Sequence, residues 1–534
     1  MKHIRTTPAC LIAALSLAPL AAQVNVLTFH NNNARTGQNV AETILTPANV
    51  KAATFGKIFL ATLDGKVDAQ PLIASGISVA GQGTHNVLVA ATENDSLYAL
   101  DASTGATLWQ TALLNTGETP SDNLSCNQVK PIIGITSTPV ISLNGSGGGT
   151  IYAVAMSKDG SGNYHQRLHA VDIASGSEIL GGPVDIQAQY PGAGEGSSGG
   201  FVVFNPKQYV ERAALLLLDG TVYLSWSSHC DHPPYTGWIM GYDAATLAQT
   251  SVIDVTPNGA EGSIWGSGAG PSADSKGNIY FLDANGTFDT TLNAQGFPAN
   301  GDFGNSFIKL STTGGQLAVA DYFAMYNTVS ESEADLDLGS GGSMVLPNMK
   351  NAAGKEKQLA LGAGKDGNIY IVDRTKMGKF NPANDNAIYQ ELSGAFPSSS
   401  QIKSTPAFFN DHVYYCAISD RLKAFAFKNA VLSATPSSMS DNPFPYPGAT
   451  PSISANGAKN GIVWVVDSDA TAAVLRAYSA VNVAKQLYSS SAIAGGRDAF
   501  GPGNKFMVPT VANGMVYVGT PTGVAGFGLL PAPK

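Results

Sequence analysis

The sequence predicts an all-β fold built from about eight copies of one four-stranded unit. Three observations predict it. Short runs with period-two alternation recur along the whole chain. Turn residues punctuate them, with 59 glycines in 534 residues. The chain is 44% hydrophobic and only 13% charged, a composition that folds and excludes polar disorder.

Each copy reads as a Thr-Pro or Pro-led short strand, a Gly-x-hydrophobic-Tyr-hydrophobic strand, a strand ending in Ala-hydrophobic-Asp, a turn and an outer strand. The clearest copy is NVLVAATENDSLYALDASTGATLWQTALL, beginning at Asn86, in which Asp101 to Gly105 turn the chain into the strand carrying Trp109. Further copies centre on IYAVAMS with HAVDIASG, on TVYLSWS with GYDAATL, and on NIYFLDA with FIKLSTTGG. Four more follow: NIYIVDR; TPAFFNDHVYYCAIS with LKAFAF; TPSISAN with GIVWVVDS and LRAYSA; and VPTVANGMVYVGT with GVAGFGL.

One such unit cannot bury both faces of its small sheet, whereas radial stacking buries each face against a neighbour. The expectation is an eight-bladed β-propeller of four-stranded antiparallel blades, a single domain over residues 23–534. The last copy ends near Leu530 without an outer strand. The segment GKIFLATL, about residues 56–63, has strand character and no copy of its own, so it is expected to complete the last blade and close the ring. A pair of β-sandwiches is the competing fold. The repeated Asp-x-x-x-Gly turn favours the propeller.

Lys2 and Arg5, an apolar run from Ala9 to Leu20 and small residues at Ala21 and Ala22 read as a signal peptide over residues 1–22. The run is too short to span a bilayer. A secreted or periplasmic monomer without a membrane span is expected. A net charge of -9 without basic runs leaves no footprint for nucleic acid. Export permits one disulfide. Cys126 with Cys230 is the expected pair, since both sit in long polar loops and Cys416 sits in an apolar strand; three free thiols are the alternative.

LYALDASTGATLW (Leu97 to Trp109) resembles the repeat of pyrroloquinoline quinone (PQQ)-dependent alcohol dehydrogenases, which cofactor-free propeller scaffolds share. The resemblance deepens from Glu261 to Gly378. In IWGSGAGPSADSKGNIYFLDANGTFD, the match implies that Trp265 stacks under the quinone and that Asn285 is a calcium ligand. A planar quinone needs an aromatic face, and a hard cation needs oxygen ligands. ADLDLGSGG resembles the acidic segment that supplies the catalytic Asp and a metal ligand, implying Asp335 or Asp337 as the base. GAGKDGNIYIVDRTKMG resembles the segment whose basic residue contacts the quinone oxygens, implying that role for Lys365. Each residue has a plainer reading beside this one: Trp265 as filler between blades, Asn285-Gly286 and Lys365-Asp366-Gly367 as turns, Asp335 and Asp337 as a solvated loop.

The sequence departs from that family at two points. No two cysteines are adjacent, so the family's strained Cys-Cys ring has no counterpart. At the position of the calcium carboxylate the stretch SWSSHCDHPPYTGWIMGYD places His232, with Asp231 beside it. Histidine suits zinc or copper better than calcium. His229, Cys230, Asp231 and His232 form a polar cluster and a second candidate metal site. The Gly-rich GEGSSGG (Gly194 to Gly200) and FHNNNARTGQN (Phe29 to Asn39) read as loops or as pocket lining, with His30 and Arg35 as candidate ligand contacts.

Three functions are weighed. The first is a PQQ- and divalent-cation-dependent dehydrogenase of alcohols or sugars, with a separate electron acceptor because no haem-attachment motif is present. The second is a cofactor-free scaffold binding protein or glycan in the cell envelope. The third is a polysaccharide-cleaving propeller using His232 and Tyr235.

Overall fold

In the computed structural model, residues 23–531 are described; the expected signal peptide lies outside them. Among the described residues the fold is almost wholly β, with eight sheets of four to six strands, three smaller sheets, one short α-helix, Thr328–Glu333, and a few single 3-10 turns.

The eight sheets follow the chain, and their strands pair antiparallel except where the short N-terminal strand Gln38–Asn39 pairs parallel with Ser452–Asn456. The first comprises Leu72–Val79, Gly83–Ala91, Ser96–Asp101 and Thr107–Ala112. The inner strands of the next six are Val140–Leu143, Leu216–Leu218, Ser272–Ala273, Met344–Val345, Ala407–Phe409 and Ser452–Asn456. The eighth comprises Thr510–Ala512, Met515–Thr520, Gly523–Leu529 and the N-terminal strand Phe55–Thr62. That strand pairs antiparallel with Gly523–Leu529, from Phe55 opposite Leu529 to Thr62 opposite Gly523. The two ends of the chain therefore share one sheet, and what would be an open edge is covered.

The turn that marks the repeat has a simple cause. Asp101 Oδ1 accepts from the backbone N–H groups of Ser103 and Thr104, and Gly105 takes the left-handed conformation (φ 74°) that ends the turn. Asp172 and Gly176 repeat this geometry. Trp109 on the outer strand of the first sheet donates its indole N–H to the Ile173 carbonyl of the second, a structural contact between sheets.

Alternating residues place apolar side chains on both faces of every sheet, and these faces are buried in pairs. One cluster joins the eighth, first and second sheets. Others join second to third, third to fourth, fourth to fifth, fifth to sixth, sixth to seventh and seventh to eighth. Burial of aliphatic side chains at ~25 cal/mol per Å2 makes these shared faces the main source of cohesion.

Before its first long strand the chain runs along the inner edges of all eight sheets. Val26 bridges Ile73, and the Leu27 carbonyl accepts from Ile141 N–H. Asn33 donates to the Leu217 carbonyl and accepts from Ala273 N–H, Ala34 accepts from Val345, Thr36 from Phe408 and Gly37 from Ile453; Asn39 donates to Val511. Arg35 is fully buried and donates to the carbonyls of Phe29, Leu215 and Pro271 and to the Thr28 hydroxyl. His30, equally buried, bridges the Arg35 and Pro451 carbonyls. The structure thus departs from the pocket-lining reading of this segment: His30 and Arg35 hold backbone together, because carbonyls at the converging inner edges need donors.

Candidate functional site

Connections between and within the sheets build most of one cavity, which has about 970 Å3 of empty volume including its open mouth. Loops from almost every junction contribute. Cys126 lies in a loop of the second sheet, between Thr119–Asp122 and Ile132–Ile133, Arg212 between second and third sheets, Trp265 between third and fourth, and Asp335 and Asp337 between fourth and fifth. Lys365 comes from a turn of the fifth, Lys403 from before the sixth, Tyr446 from before the seventh and Phe506 from before the eighth.

Trp265, Asp335, Asp337, Lys365 and Asp231 all line this cavity. Lys365 Nζ lies 2.5 Å from Asp335 Oδ1 and 2.7 Å from Asp337 Oδ2. Asn285 Nδ2 donates to Asp335 Oδ1 at 3.0 Å, and its backbone N–H donates to Asp337 Oδ1 at 2.8 Å. Residues up to 80 positions apart therefore meet in one network. Two glycines permit it. A Cβ on Gly364 would lie 2.4 Å from the Asp337 carbonyl oxygen, and one on Gly339 would lie 2.5 Å from Ala284 N. Only bare backbone lets the acidic loop seat against the turns bearing Lys365 and Asn285.

Asp337 is buried and both its oxygens are engaged, whereas the Asp335 side chain is 71% exposed at the mouth. Burial pushes the Asp337 carboxyl up, against the pull of Lys365. Burial also opposes the Lys365 ammonium, but Asp337 and Asp335 outweigh it and hold it above the usual lysine range. Asp335 itself sits in the left-handed region (φ 56°), as do Cys230, Asp231 and Phe506 around the cavity. Such backbone is held only where surrounding structure dictates it.

The amide oxygen of Asn285 is buried and accepts no hydrogen bond. An orphaned amide oxygen beside carboxylates is the donor chemistry of a hard cation. Glu261 adds to that field: burial raises its carboxyl, and Asp231, Glu195, Asp337 and Asp335 raise it further. No group of three His, Cys, Asp or Glu side chains is arranged to share a metal among the described residues. A cation here would depend on the Asn285 amide and would share Asp335 and Asp337 with Lys365.

The polar cluster around His229 divides. Cys230 forms a disulfide with Cys126, the pairing expected from the loops, and this bridge is part of the cavity wall. Cys416 is buried and unbridged. Asp231 faces the cavity, where its Oδ1 accepts from Ser228 and Tyr235. His232 does not face it; it is exposed and borders a separate surface groove with Asp122 and Lys207. His229 is buried, with neither ring nitrogen bonded, and burial lowers its pKa to about 4. Gly194 to Gly200 forms a hairpin against Pro257 and Gly259, from which Glu195 reaches the Tyr235 N–H.

Sequence reasoning missed the basic and aromatic wall. Phe506 meets Trp265 edge-on at 6.1 Å between centroids, and the Arg212 guanidinium lies 4.9 Å over the Phe506 ring. Lys403 and Lys505 stand 5.1 Å and 5.4 Å from the ring centre of Tyr446. These residues lie in connections of irregular length with no recurring motif to mark them.

No known family model matches the chain, and no curated protein matches it. Solved structures do. A quinohemoprotein alcohol dehydrogenase from Pseudomonas putida matches with a TM-score of 0.61 at 13% identity, over 96% of this chain and 82% of that one. One from Comamonas testosteroni matches with a TM-score of 0.60 at 15% identity, over the same 96% and 82%. A europium-containing methanol dehydrogenase matches with a TM-score of 0.57 at 13% identity, over 94% and 90%. In fold, over nearly its whole described length, the chain is similar to the quinoprotein alcohol and methanol dehydrogenases.

Proposed function

We propose that the eight sheets are blades of one closed propeller and that its central cavity serves a PQQ- and divalent-cation-dependent dehydrogenase of alcohols or sugars. The shared apolar clusters running from the first sheet to the eighth and back to the first support the ring. One observation carries the function. Trp265, Asp335, Asp337 and Lys365, drawn from three separate connections, converge on one cavity, and Asn285 behind them bonds both aspartates with its amide oxygen left free. The similar solved structures are dehydrogenases by name, which agrees with this reading.

The residues present fit such a cofactor in kind. Trp265 offers an aromatic face, and the edge of Phe506 backs it. Asn285 Oδ1 is the uncommitted donor for a hard cation, with Asp337 and Asp335 beside it. When bound, the quinone and its cation supply the two-electron acceptor that the protein side chains lack. Asp335 acts as the base. Its Oδ1 is held by Lys365 and Asn285, which orients the exposed carboxylate so that Oδ2 takes the hydroxyl proton of the alcohol. Lys365 sets its positive charge against that carboxylate before the substrate enters. Asp337 anchors both Lys365 and the Asn285 turn, and so positions them.

The test is reconstitution of the mature chain with PQQ and calcium, followed by a dye-linked screen of alcohols and sugars. Turnover is expected with the native chain, and Asp335→Asn is expected to lower kcat by at least about 100-fold. Full activity in Asp335→Asn would overturn the assignment of the base. Absence of turnover with every substrate, despite bound quinone, would overturn the dehydrogenase reading.

A further inference from the structure

The cavity has two electrically distinct walls. One carries Asp231, Asp335 and Asp337, with Lys365 drawn into that carboxylate network. The other carries Arg212 and Lys403, with Lys505 just behind Gln128 and Tyr446. Three separate connections bring these cations together, through Phe506 under Arg212 and Tyr446 between Lys403 and Lys505.

Their charges are poorly compensated. Arg212 has Asp68 at 3.8 Å, but that carboxylate is also held by Lys66 at 2.7 Å. Lys505 donates to the neutral amide of Gln128 at 2.6 Å, and neither Lys403 nor Lys505 has a carboxylate within ion-pair distance among the described residues. Lys403 is half-buried. Burial lowers its pKa, Lys365 lowers it further, and Asp335 and Asp337 act in the opposite sense. Burial likewise lowers Lys505, with Arg212, Lys403 and Lys66 adding to the effect against Asp68. Cations gathered round a pocket, with one shared carboxylate as the sole ion-pair partner of the three among the described residues, offer a seat to an anion from outside.

We propose that Arg212, Lys403 and Lys505 form an anion-binding rim, and that the alcohol or sugar taken into this cavity carries a carboxylate or phosphate. The inference rests on the dehydrogenase reading for the nature of the substrate, and on the cavity alone for the binding of the anion. Seated on the rim, the anionic group places the rest of the ligand across the cavity towards Asp335. Tyr446, 44% exposed at the mouth, supplies the apolar flank between the two lysines.

The experiment compares gluconate, glucose 6-phosphate and glucose on the full mature chain by calorimetric titration at low salt, first without and then with PQQ and calcium. At least one of the anions is expected to bind about tenfold or more tighter than glucose, and to weaken as salt rises. Lys403→Met combined with Lys505→Met is expected to abolish that preference while the thermal midpoint shows the chain still folded; Lys403→Arg is expected to keep it. Equal binding of all three ligands overturns the rim. So does a double variant that loses quinone affinity in parallel, because the cations then serve the carboxylates of the quinone. Anion binding without any quinone binding keeps the rim and overturns the dehydrogenase reading, so the two failures are distinguishable.

Discussion

A single amide oxygen carries much of the chemistry argued above. Asn285 spends its backbone N–H on Asp337 and its amide nitrogen on Asp335 and leaves its side-chain carbonyl oxygen bare in a buried place. Asn285→Ala removes that oxygen but keeps the backbone bond to Asp337. The native chain is expected to gain thermal midpoint with calcium, and the variant is expected to fold and to lose that gain; an equal rise in both would remove Asn285 from the cation site. Arg35 makes the opposite case. Its side chain satisfies three carbonyls and a hydroxyl in the core, so Arg35→Ala is expected to destabilise by about 3 kcal/mol or more in urea unfolding. The difference between these two residues was only half legible in the sequence. Asn285, Asp335 and Lys365 sit beside recurring strand signatures, and those anchor them. His30 and Arg35 stand in a Gly- and Asn-rich stretch that looks the same whether it lines a pocket or threads a core. His232 was misplaced for a related reason: a gapless match cannot show that the disulfide turn at Cys230 directs Asp231 inward and leaves His232 outside.

Among the elements, the N-terminal strand and the disulfide loops have the clearest consequences. Phe55–Thr62 covers the edge of Gly523–Leu529, so a chain starting at residue 64 exposes a full strand edge. Such a truncation also removes residues 26–39, which bond to all eight sheets. It is expected to aggregate, read by light scattering, and a peptide covering residues 23–62 is expected to reduce the aggregation more than one covering 55–62 alone. The bridge from Cys126 to Cys230 spans 104 positions. Cys126→Ser with Cys230→Ser is expected to lower stability by up to about 4 kcal/mol. The same variant is expected to weaken ligand binding, because the bridge is part of the cavity wall. The strands and their turns could be read from period-two alternation and from the Asp-x-x-x-Gly signature, since both follow from local geometry. The connections could not. Arg212, Lys403, Tyr446 and Phe506 meet only because sheets far apart in sequence surround a common space.

For the whole molecule, buried carboxyls set the response to pH. Burial raises Glu93 to about 8, and raises Asp254 and Glu331 to about 7. A carboxyl raised in the folded state holds its proton longer than in the unfolded chain. Its contribution is complete below the ordinary carboxylate pKa and is lost as pH rises through about 7 to 8. Glu118 runs the other way: despite burial, which alone would raise it, bonds from Arg167 and Ser157 bring its carboxyl down to about 2. That contribution is lost as pH falls towards 2. Thermal midpoints are therefore expected to be highest near about pH 5 and to fall towards about pH 8.5, with Glu93→Gln flattening the fall. A midpoint that climbs steadily to alkaline pH would contradict the burial of these groups.

The central claim is that the cavity walled by Trp265, Asp337 and Lys365 is a quinone site. Titration of PQQ into the purified protein with calcium, followed by absorbance, tests it most directly. Saturation at low micromolar quinone, calcium-dependent and weakened at least about tenfold by Trp265→Ala, is the predicted result. No binding at tens of micromolar, or binding that ignores both calcium and Trp265→Ala, would contradict it.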